Sequence, residues 1–428
     1  MNTFAACKEL IEKINELLHT DEFLNAHRLP NRFVRKGILS MYHVILYLLY
    51  TSKQSMSINI SNIRSELPAL EFPKVSKQAV SKARQGILPS LFMELFRLSV
   101  DHFYCSIPKR NMWRDRFNIF AVDGSRLSVP NSSSNFESFG EMFSKKNPNR
   151  RWSMALCSTI YDICNDVIVH GLIKPFLYSE RSAALKHFED LENLNLFKGS
   201  IIVFDRGYYS EAMFRYFANK GYFCIMRLKE NYNLAKNCKG DCIQILKGDA
   251  KQDLCDIKVR VISIPLESGV TEYLATTVFD ESITAVDFKE LYFLRWSLES
   301  KYAELKNQFL LEEFSGATST SIEQEFYINL LLSNMVSMIK SSADKEIEKT
   351  ARPNNNYRYQ ANRAFIIARV KWFLSRYLSS DITIALLTEI YSDACVNRSQ
   401  IQPGRKCPRN LRQSDKERKH FNNRKRVI

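Results

Sequence analysis

The sequence predicts an α/β core carried between two helical regions. Three observations predict it. Residues 1 to about 115, and those beyond about 345, place apolar side chains at helical spacing. From about Phe117 the period shortens to that of strands, in FNIFAVDGSRLSV and again in WSMALCSTIYDICNDVIVHGLIKP. SIIVFDRGYYS then reads as a short, wholly apolar strand followed by helix and strand, a β-α-β unit.

The first region opens with Phe4, Leu10, Ile11, Ile14, Leu17 and Leu18 on one helical face. Ile38 to Tyr50 predicts a second helix, buried, too short to cross a bilayer and interrupted by His43. After Pro68 and Pro73, Ser76 is an N-cap for a short helix over Lys77 to Gln85, and Gly86 stops it. That helix offers Lys77, Gln78, Ser81, Lys82 and Arg84, with Ala79, Val80 and Ala83 for packing. The composition suits the recognition helix of a helix-turn-helix at about 75–86, because such side chains reach base edges and phosphates. It suits a cationic surface helix of an all-α domain as well.

The core begins with a strand running to Asp123, where Gly124 breaks it. Pro130 to Arg150 reads as a polar, mobile loop, and a hairpin turns around Asp162 to Asp166. A helix over Ser182 to Asn193 leads to the strand that ends at Asp205, with Gly207 as breaker. The helix Glu211 to Asn219 and the strand Tyr222 to Met226 complete the β-α-β unit. Residues 229 to about 283 hold short β-prone runs between polar turns and predict a β-rich insertion. A helix from about Ala285 includes Leu291 to Leu310, unbroken by Gly or Pro, and a second covers Glu323 to Lys340. The last region, basic and aromatic from Ala351, predicts helices at about Tyr359 to Leu378 and Asp381 to Asp393, then a tail disordered until it meets a polyanion. The domains so read are 1–115, 116–345 and 346–428, without internal repeats.

A hydrophobic content of 45% and a charged content of 25% are those of a soluble globular protein, but a net charge of +15 calls for a polyanionic partner. Nucleic acid is the first candidate and anionic membrane the second. Ile401 to Ile428 alone carries ten Lys/Arg against Asp415 and Glu417. Ten scattered cysteines with no signal-peptide pattern predict reduced thiols in a cytoplasmic protein. Cys238 and Cys242 are the only close pair, and no zinc-ligand partners follow them.

Two carboxylates stand at loop-facing ends of apolar strands, Asp123 and Asp205, a favoured place for a site in an α/β sheet. Asp123-Gly124 alone also fits a turn. Glu299 is the third. On a wheel of about 100° per residue, Tyr292, Arg295, Glu299 and Lys306 share an edge roughly 60° wide, while Glu304 falls about 140° from Glu299 and is rejected as a ligand. Taken on its own, that edge is equally a solvated one with an Arg295–Glu299 pair. Three oxygen donors from three elements can hold two Mg²⁺ ions roughly 3.5–4 Å apart and cleave a phosphodiester. With no histidine nearby, a hard cation is favoured over zinc. Arg295, Lys306 and Tyr292 would then grip backbone phosphates.

Asp123 in AVDGS, Asp205 in VFDRGYYS and Glu299 in Y-x2-R-x3-E-x6-K resemble the DDE transposases of bacterial insertion sequences. The narrower likeness is to the group marked by the tyrosine–arginine–glutamate–lysine signature, which Tyr292, Arg295, Glu299 and Lys306 match at all four positions. It covers roughly residues 70 to 345. The resemblance implies a ribonuclease-H-like catalytic core, with Asp123, Asp205 and Glu299 as catalytic metal ligands for two Mg²⁺, which Mn²⁺ can replace. It implies an enzyme that binds terminal inverted repeats of double-stranded DNA as a homodimer, frees a 3′-OH and joins it to target DNA. Many relatives hold a hairpin intermediate with tryptophans. The insertion here has none, so Trp296 is the candidate base platform, with Tyr273 or Phe279 weaker candidates. Arg206, after Asp205, either contacts DNA or pairs with Asp205. The competing expectations are a nuclease of the same fold without strand transfer and a non-catalytic DNA-binding relative. A cytoplasmic, nucleoid-associated protein with no membrane partner follows from either.

Overall fold

The computed structural model describes residues 1–35, 37–51, 53–144, 147, 149, 151–248, 255–266, 269–352 and 357–401. From residue 402 on, the predicted cationic tail lies outside the described residues.

In chain order the elements begin with α1 (Thr3–Leu18), α2 (Asp21–Ala26), α3 (Met41–Tyr50), α4 (Met56–Glu66), α5 (Lys77–Arg84) and α6 (Ser90–Ser106). Then come β1 (Ile119–Val129), α7 (Ser133–Phe139), β2 (Glu141–Phe143), β3 (Arg151–Asp162), β4 (Val167–Pro175), α8 (Glu180–Asp190), β5 (Ile201–Phe204), α9 (Glu211–Asn219) and β6 (Phe223–Leu228). The stretch read as an insertion holds α10 (Asn233–Lys236), β7 (Asp241–Leu246), β8 (Ile257–Pro265) and β9 (Thr271–Thr276). The chain continues with α11 (Ala285–Leu294), α12 (Trp296–Asn307), α13 (Ser319–Lys349), β10 (Tyr359–Ala361), α14 (Arg363–Leu378), α15 (Leu386–Val396) and β11 (Arg398–Gln400).

The chain divides into two compact units. One comprises Met1–Pro108, Leu127–Ala155 and Leu305–Ile428, the other Lys109–Arg126 and Leu156–Glu304. In the first, α13 packs against α1, α6, α14 and α15 and is buried on almost every side. A helix so enclosed must satisfy its own polar side chains: Asn334 donates to Ser99 Oγ at 3.1 Å and Ser337 to the Ser333 carbonyl at 3.0 Å. Two expectations change here. The buried helix predicted from Ile38 starts at Met41, because Ser40 and His43 close a capping box, and Ile38 is 77% exposed. The stretch read as a loop, Pro130 to Arg150, contains α7, capped by Ser132, and β2, which pairs antiparallel with the start of β3.

The second unit is built on the strands β3-β1-β5-β6-β9-β8-β7 of one sheet, in that order, with β4 also paired to β3. Strands β1, β5 and β6 run parallel, with α8 and α9 in the crossovers, and β3 and β4 form the predicted hairpin. This is a ribonuclease-H-like arrangement. The β-rich stretch extends the same sheet, since β9 pairs antiparallel with β6 and carries β8 and then β7 outward. One apolar cluster joins the core strands to it: Ile119, Val203 and Ile225 pack with Ile262, Leu274 and, from α11, Phe288, Leu291 and Tyr292. That packing sets the face of α11 that looks at the sheet.

Candidate active site

Strand register brings the first two carboxylates together. In the parallel pair, Val122 stands opposite Phe204. One residue further, Asp205 follows the end of β5 while Asp123 stands inside β1, which Gly124 does not break and which runs on to Val129; the two share a face on backbones about 4.8 Å apart. Ile201 to Phe204 are fully buried, so the polar group appears where the strand meets solvent. Asp123 is 18% exposed and Asp205 42%. The Gly124 amide donates to Asp123 Oδ1 at 2.8 Å, and the Asp123 carbonyl accepts from the Tyr302 hydroxyl at 2.8 Å.

The third carboxylate comes from a helix that is not as uniform as its sequence suggests. Leu291 to Leu310 was read as helical throughout, but α11 ends at Leu294 and α12 starts at Trp296. At Arg295 the bonds tighten to the i→i−3 pattern, Arg295 N to Tyr292 O and Leu298 N to Arg295 O. Because the residue lies in a tight turn between two helical segments, its side chain goes inward: Arg295 is 4% exposed. Its guanidinium lies 3.1 Å from Glu299 Oε1, 3.7 Å from Asp123 Oδ2 and 3.8 Å from Asp205 Oδ1. One arginine therefore touches all three predicted metal ligands. Tyr292, 3% exposed, donates its hydroxyl to Asp205 Oδ1 at 3.1 Å.

The electrostatics follow. Burial pushes the Asp123 carboxyl up to about 7; the Gly124 amide and Arg295 hold it down, while Asp205 and Glu180 push it further up. Burial works against the charge of Arg295, but Tyr292, Asp205, Asp123 and Glu299 outweigh it and leave its pKa above the ordinary value. Even so, Nε and Nη1 of Arg295 are buried without a hydrogen-bond partner. Oxygen donors alone make up this set, which fits a hard divalent cation. Among the described residues no three His, Cys, Asp or Glu stand close enough to hold an ion as they lie. The guanidinium takes the place on which the carboxylates converge.

The other predicted residues are dispersed. Trp296 is 46% exposed, with the Arg295 guanidinium 5.7 Å from its ring centroid, and Phe279 is 41% exposed. Arg206 is exposed, and Lys306 stands 3.9 Å from Glu312. On α5, Lys77, Gln78, Ser81 and Lys82 are exposed, and Ser76 caps the helix as predicted. Arg84 needs correcting: it is 1% exposed and donates to Gln324, Ser315, the Ser321 carbonyl and Glu325, all at 2.7–2.9 Å, so it anchors α5 to the α13 region and offers nothing to a base. Residues 67 to 76, with a 3-10 turn at Pro68–Leu70, separate α5 from α4, a longer connection than the three or four residues of a helix-turn-helix.

Two residues were missed. Glu180, at the start of α8, packs its Cγ so close to Gly124 that a Cβ there would sit 3.1 Å away. Tyr302 was hidden on the apolar side of α12, where only its bond to the Asp123 carbonyl reveals it. No local sequence signal marks Glu180; the glycine after Asp123 is the trace it leaves.

Residues 115–335, a little over half of the chain, match the model of the transposase DDE domain family. No curated protein matches. Among solved structures, the cryo-EM structure of a piggyBac transposase synaptic complex with hairpin DNA is similar at 11% identity and a TM-score of 0.47, over 92% of this chain and 86% of that one.

Proposed function

Because the chain belongs to the transposase DDE domain family, whose activity is cleavage and transfer of DNA, we propose that it mobilises a bacterial insertion sequence by a two-metal mechanism. The observation that carries this reading is the convergence of Asp123, Asp205 and Glu299 on one cation position, now filled by Arg295. Asp123, Asp205 and Glu299 would hold two divalent ions, Mg²⁺ first and Mn²⁺ as substitute, which polarise the phosphodiester and lower the pKa of the attacking oxygen.

In the cut, a water oxygen attacks phosphorus, the P–O3′ bond breaks, and the element end leaves as a 3′-OH. In the joining step that oxygen attacks a target phosphodiester and releases a target 3′-OH. Before either step, Asp123 must give up the proton that burial favours. Arg295 must leave the carboxylates, and its long, partly unsatisfied contacts make it the residue to turn to a phosphate beside them. Tyr292 holds Asp205 in place through its hydroxyl. Exposed Arg206 and half-buried Lys306 are further phosphate contacts, Trp296 a base platform, and Lys77, Gln78 and Lys82 the face of α5 turned to the terminal repeats. A homodimer on double-stranded DNA, in the cytoplasm and at the nucleoid, completes the reading. Among the described residues, no helix is long and apolar enough to cross a membrane.

The test uses purified protein, Mg²⁺, a supercoiled donor carrying the element's ends and a target plasmid. Strand-transfer products are the expected result, and Asp205→Ala should remove cleavage and joining together. Cleavage without joining assigns a nuclease, and a gel shift alone assigns a DNA-binding relative. Wild-type cleavage by Asp205→Ala would sink the metal-ligand assignment.

A further inference from the structure

Strand β7 closes one end of its sheet: it pairs with β8, and among the described residues no strand pairs with its other side. Such an edge is usually blunted by charge, proline or a bulge, because its unpaired amides and carbonyls otherwise recruit another strand. This one is not blunted. Its register with β8 runs unbroken from Asp241 to Leu246, and its outer face carries Ile243, 61% exposed, and Ile245, 51% exposed.

The strand reads alike from both ends. Asp241 and Lys247 stand outermost, Cys242 and Leu246 within them, and Ile243 and Ile245 flank Gln244. The backbone fixes which residues can meet a partner. The Ser263 amide donates to the Gly240 carbonyl at 2.8 Å, so Gly240 and every second residue after it turn their backbone groups to β8. Asp241, Ile243 and Ile245 turn theirs to the open side, and a further strand must pair through them. A second copy meets that condition when Gln244 lies on the two-fold axis. Each Ile243 then stands opposite the other copy's Ile245, and each Asp241 opposite a Lys247. An axis through Ile243 also satisfies the backbone, but it sets Asp241 against Ile245 and leaves the charges unmatched. Asp241 and Lys247 have partners in their own chain, Arg260 and Asp256, and both remain exposed to a second copy.

We propose that β7 is an interface between two copies of this chain, paired antiparallel about Gln244 so that two sheets become one. Seven residues a side fall well short of the roughly 20–30 of a standard interface, so the contact is weak alone and adds to a larger tie such as shared DNA. The second copy belongs to the reading above, but this surface is tested without DNA, so either can fail while the other stands.

A weak contact is best caught by a bond. Gln244→Cys places two thiols across the axis, on Cα atoms about 4.5 Å apart and within disulfide reach. Cys238 and Cys242 are first replaced by serine, since the Cys242 sulfur lies 3.5 Å from the Gln244 amide. The full chain is oxidised with copper phenanthroline, sized on a non-reducing gel, and the bridge located by mass spectrometry. The expected result is a dimer joined through the introduced cysteine of both copies. Lys247→Cys in the same background puts its thiols about 20 Å apart in this pairing and should give at most about a tenth of that yield. Adding Ile243→Lys or Ile245→Lys to Gln244→Cys should lower the yield about tenfold. Both isoleucines are too exposed for their replacement to unfold the protein. Equal yields from the Gln244 and Lys247 variants mean random collision, and no dimer from Gln244→Cys means no pairing; either overturns the interface. A bridge within one chain also overturns it, since the edge would then belong to a segment of this chain. All three results leave the DNA-acting reading intact. A protein that crosslinks as expected yet neither cuts nor joins DNA keeps the interface and loses that reading.

Discussion

Two arginines are buried to nearly the same degree, Arg84 at 1% exposure and Arg295 at 4%, and they are held in opposite ways. Arg84 has every guanidinium nitrogen bonded, to Gln324, Ser315, the Ser321 carbonyl and Glu325. Burial alone would raise the Glu325 carboxyl; Arg84, Lys53 and Ser315 outweigh it and bring it down to about 2. Arg295 faces three carboxylates, yet its one hydrogen bond is to Glu299, and Nε and Nη1 have no partner. A finished ion pair belongs to the fold. An unfinished one, in a cage of oxygen donors, is a cation that another cation can replace.

The comparison breaks most visibly at Arg84. Arg84→Ala leaves Glu325 charged and buried, a loss of about 3–5 kcal/mol. Chemical denaturation should show it as a lower midpoint with unchanged slope, and added Mg²⁺ should not restore it. A loss under about 1 kcal/mol would mean the bridge is not what joins α5 to α13. Arg295→Ala should lose less, about 1–2 kcal/mol, because Asp205 and Glu299 keep part of their surface in water. Here Mg²⁺ should restore the melting temperature, by substituting for the missing guanidinium. If Mg²⁺ acts alike on both variants, the contrast between the two arginines is wrong.

Both arginines show where sequence reading reached and where it stopped. Asp123 and Asp205 were legible because the evidence is local, an apolar run that reaches a carboxylate; that β1 continues past Asp123 and Gly124 to Val129 was not. The β-prone runs between residues 229 and 283 predicted strands, but not that they extend the sheet from β6, because pairing depends on a partner the strand does not encode. Arg84 was misread since a Lys, Gln and Arg helix looks the same whether its arginine meets DNA or a glutamate 241 residues further on. The turn at Arg295 carries no Gly or Pro to announce it. Glu180 lies 57 residues from Asp123, and only the folded chain brings the two together.

Asp123 gives the comparison a pH dependence. Its folded pKa, about 7, stands above the ordinary 3.8, so the folded protein holds an extra proton between those values. The stability this contributes is fully present below about 3.8 and is lost as pH rises through about 7. Mg²⁺ needs the carboxylate, so its apparent affinity should rise about tenfold per pH unit until about pH 7 and then level off, with proton release on binding. Calorimetric titrations in buffers of different ionisation enthalpy measure both. An affinity flat from pH 5.5 to 8 would remove Asp123 from the ligand set. The Arg84–Glu325 bridge, already ionised throughout that range, should contribute no slope.

The smallest effect concerns how Asp123 is aimed. Tyr302, 5% exposed, donates to the Asp123 carbonyl at 2.8 Å and accepts from Thr159 Oγ1 at 2.9 Å. Tyr302→Phe leaves the buried Thr159 hydroxyl without its acceptor and should reduce stability by about 1 kcal/mol. Thr159→Val should do about the same alone, yet add little in the double variant, since the Thr159–Tyr302 bond then has neither partner and the Asp123 carbonyl has already lost its donor in Tyr302→Phe. A coupling energy near 1 kcal/mol, with Mg²⁺ affinity reduced only in the variants lacking the tyrosine hydroxyl, would show that the Tyr302 hydroxyl positions the Asp123 backbone and that Thr159 only pairs with it. Additive single effects would make Tyr302 a packing residue, because a hydroxyl that aims nothing loses nothing when its neighbour goes.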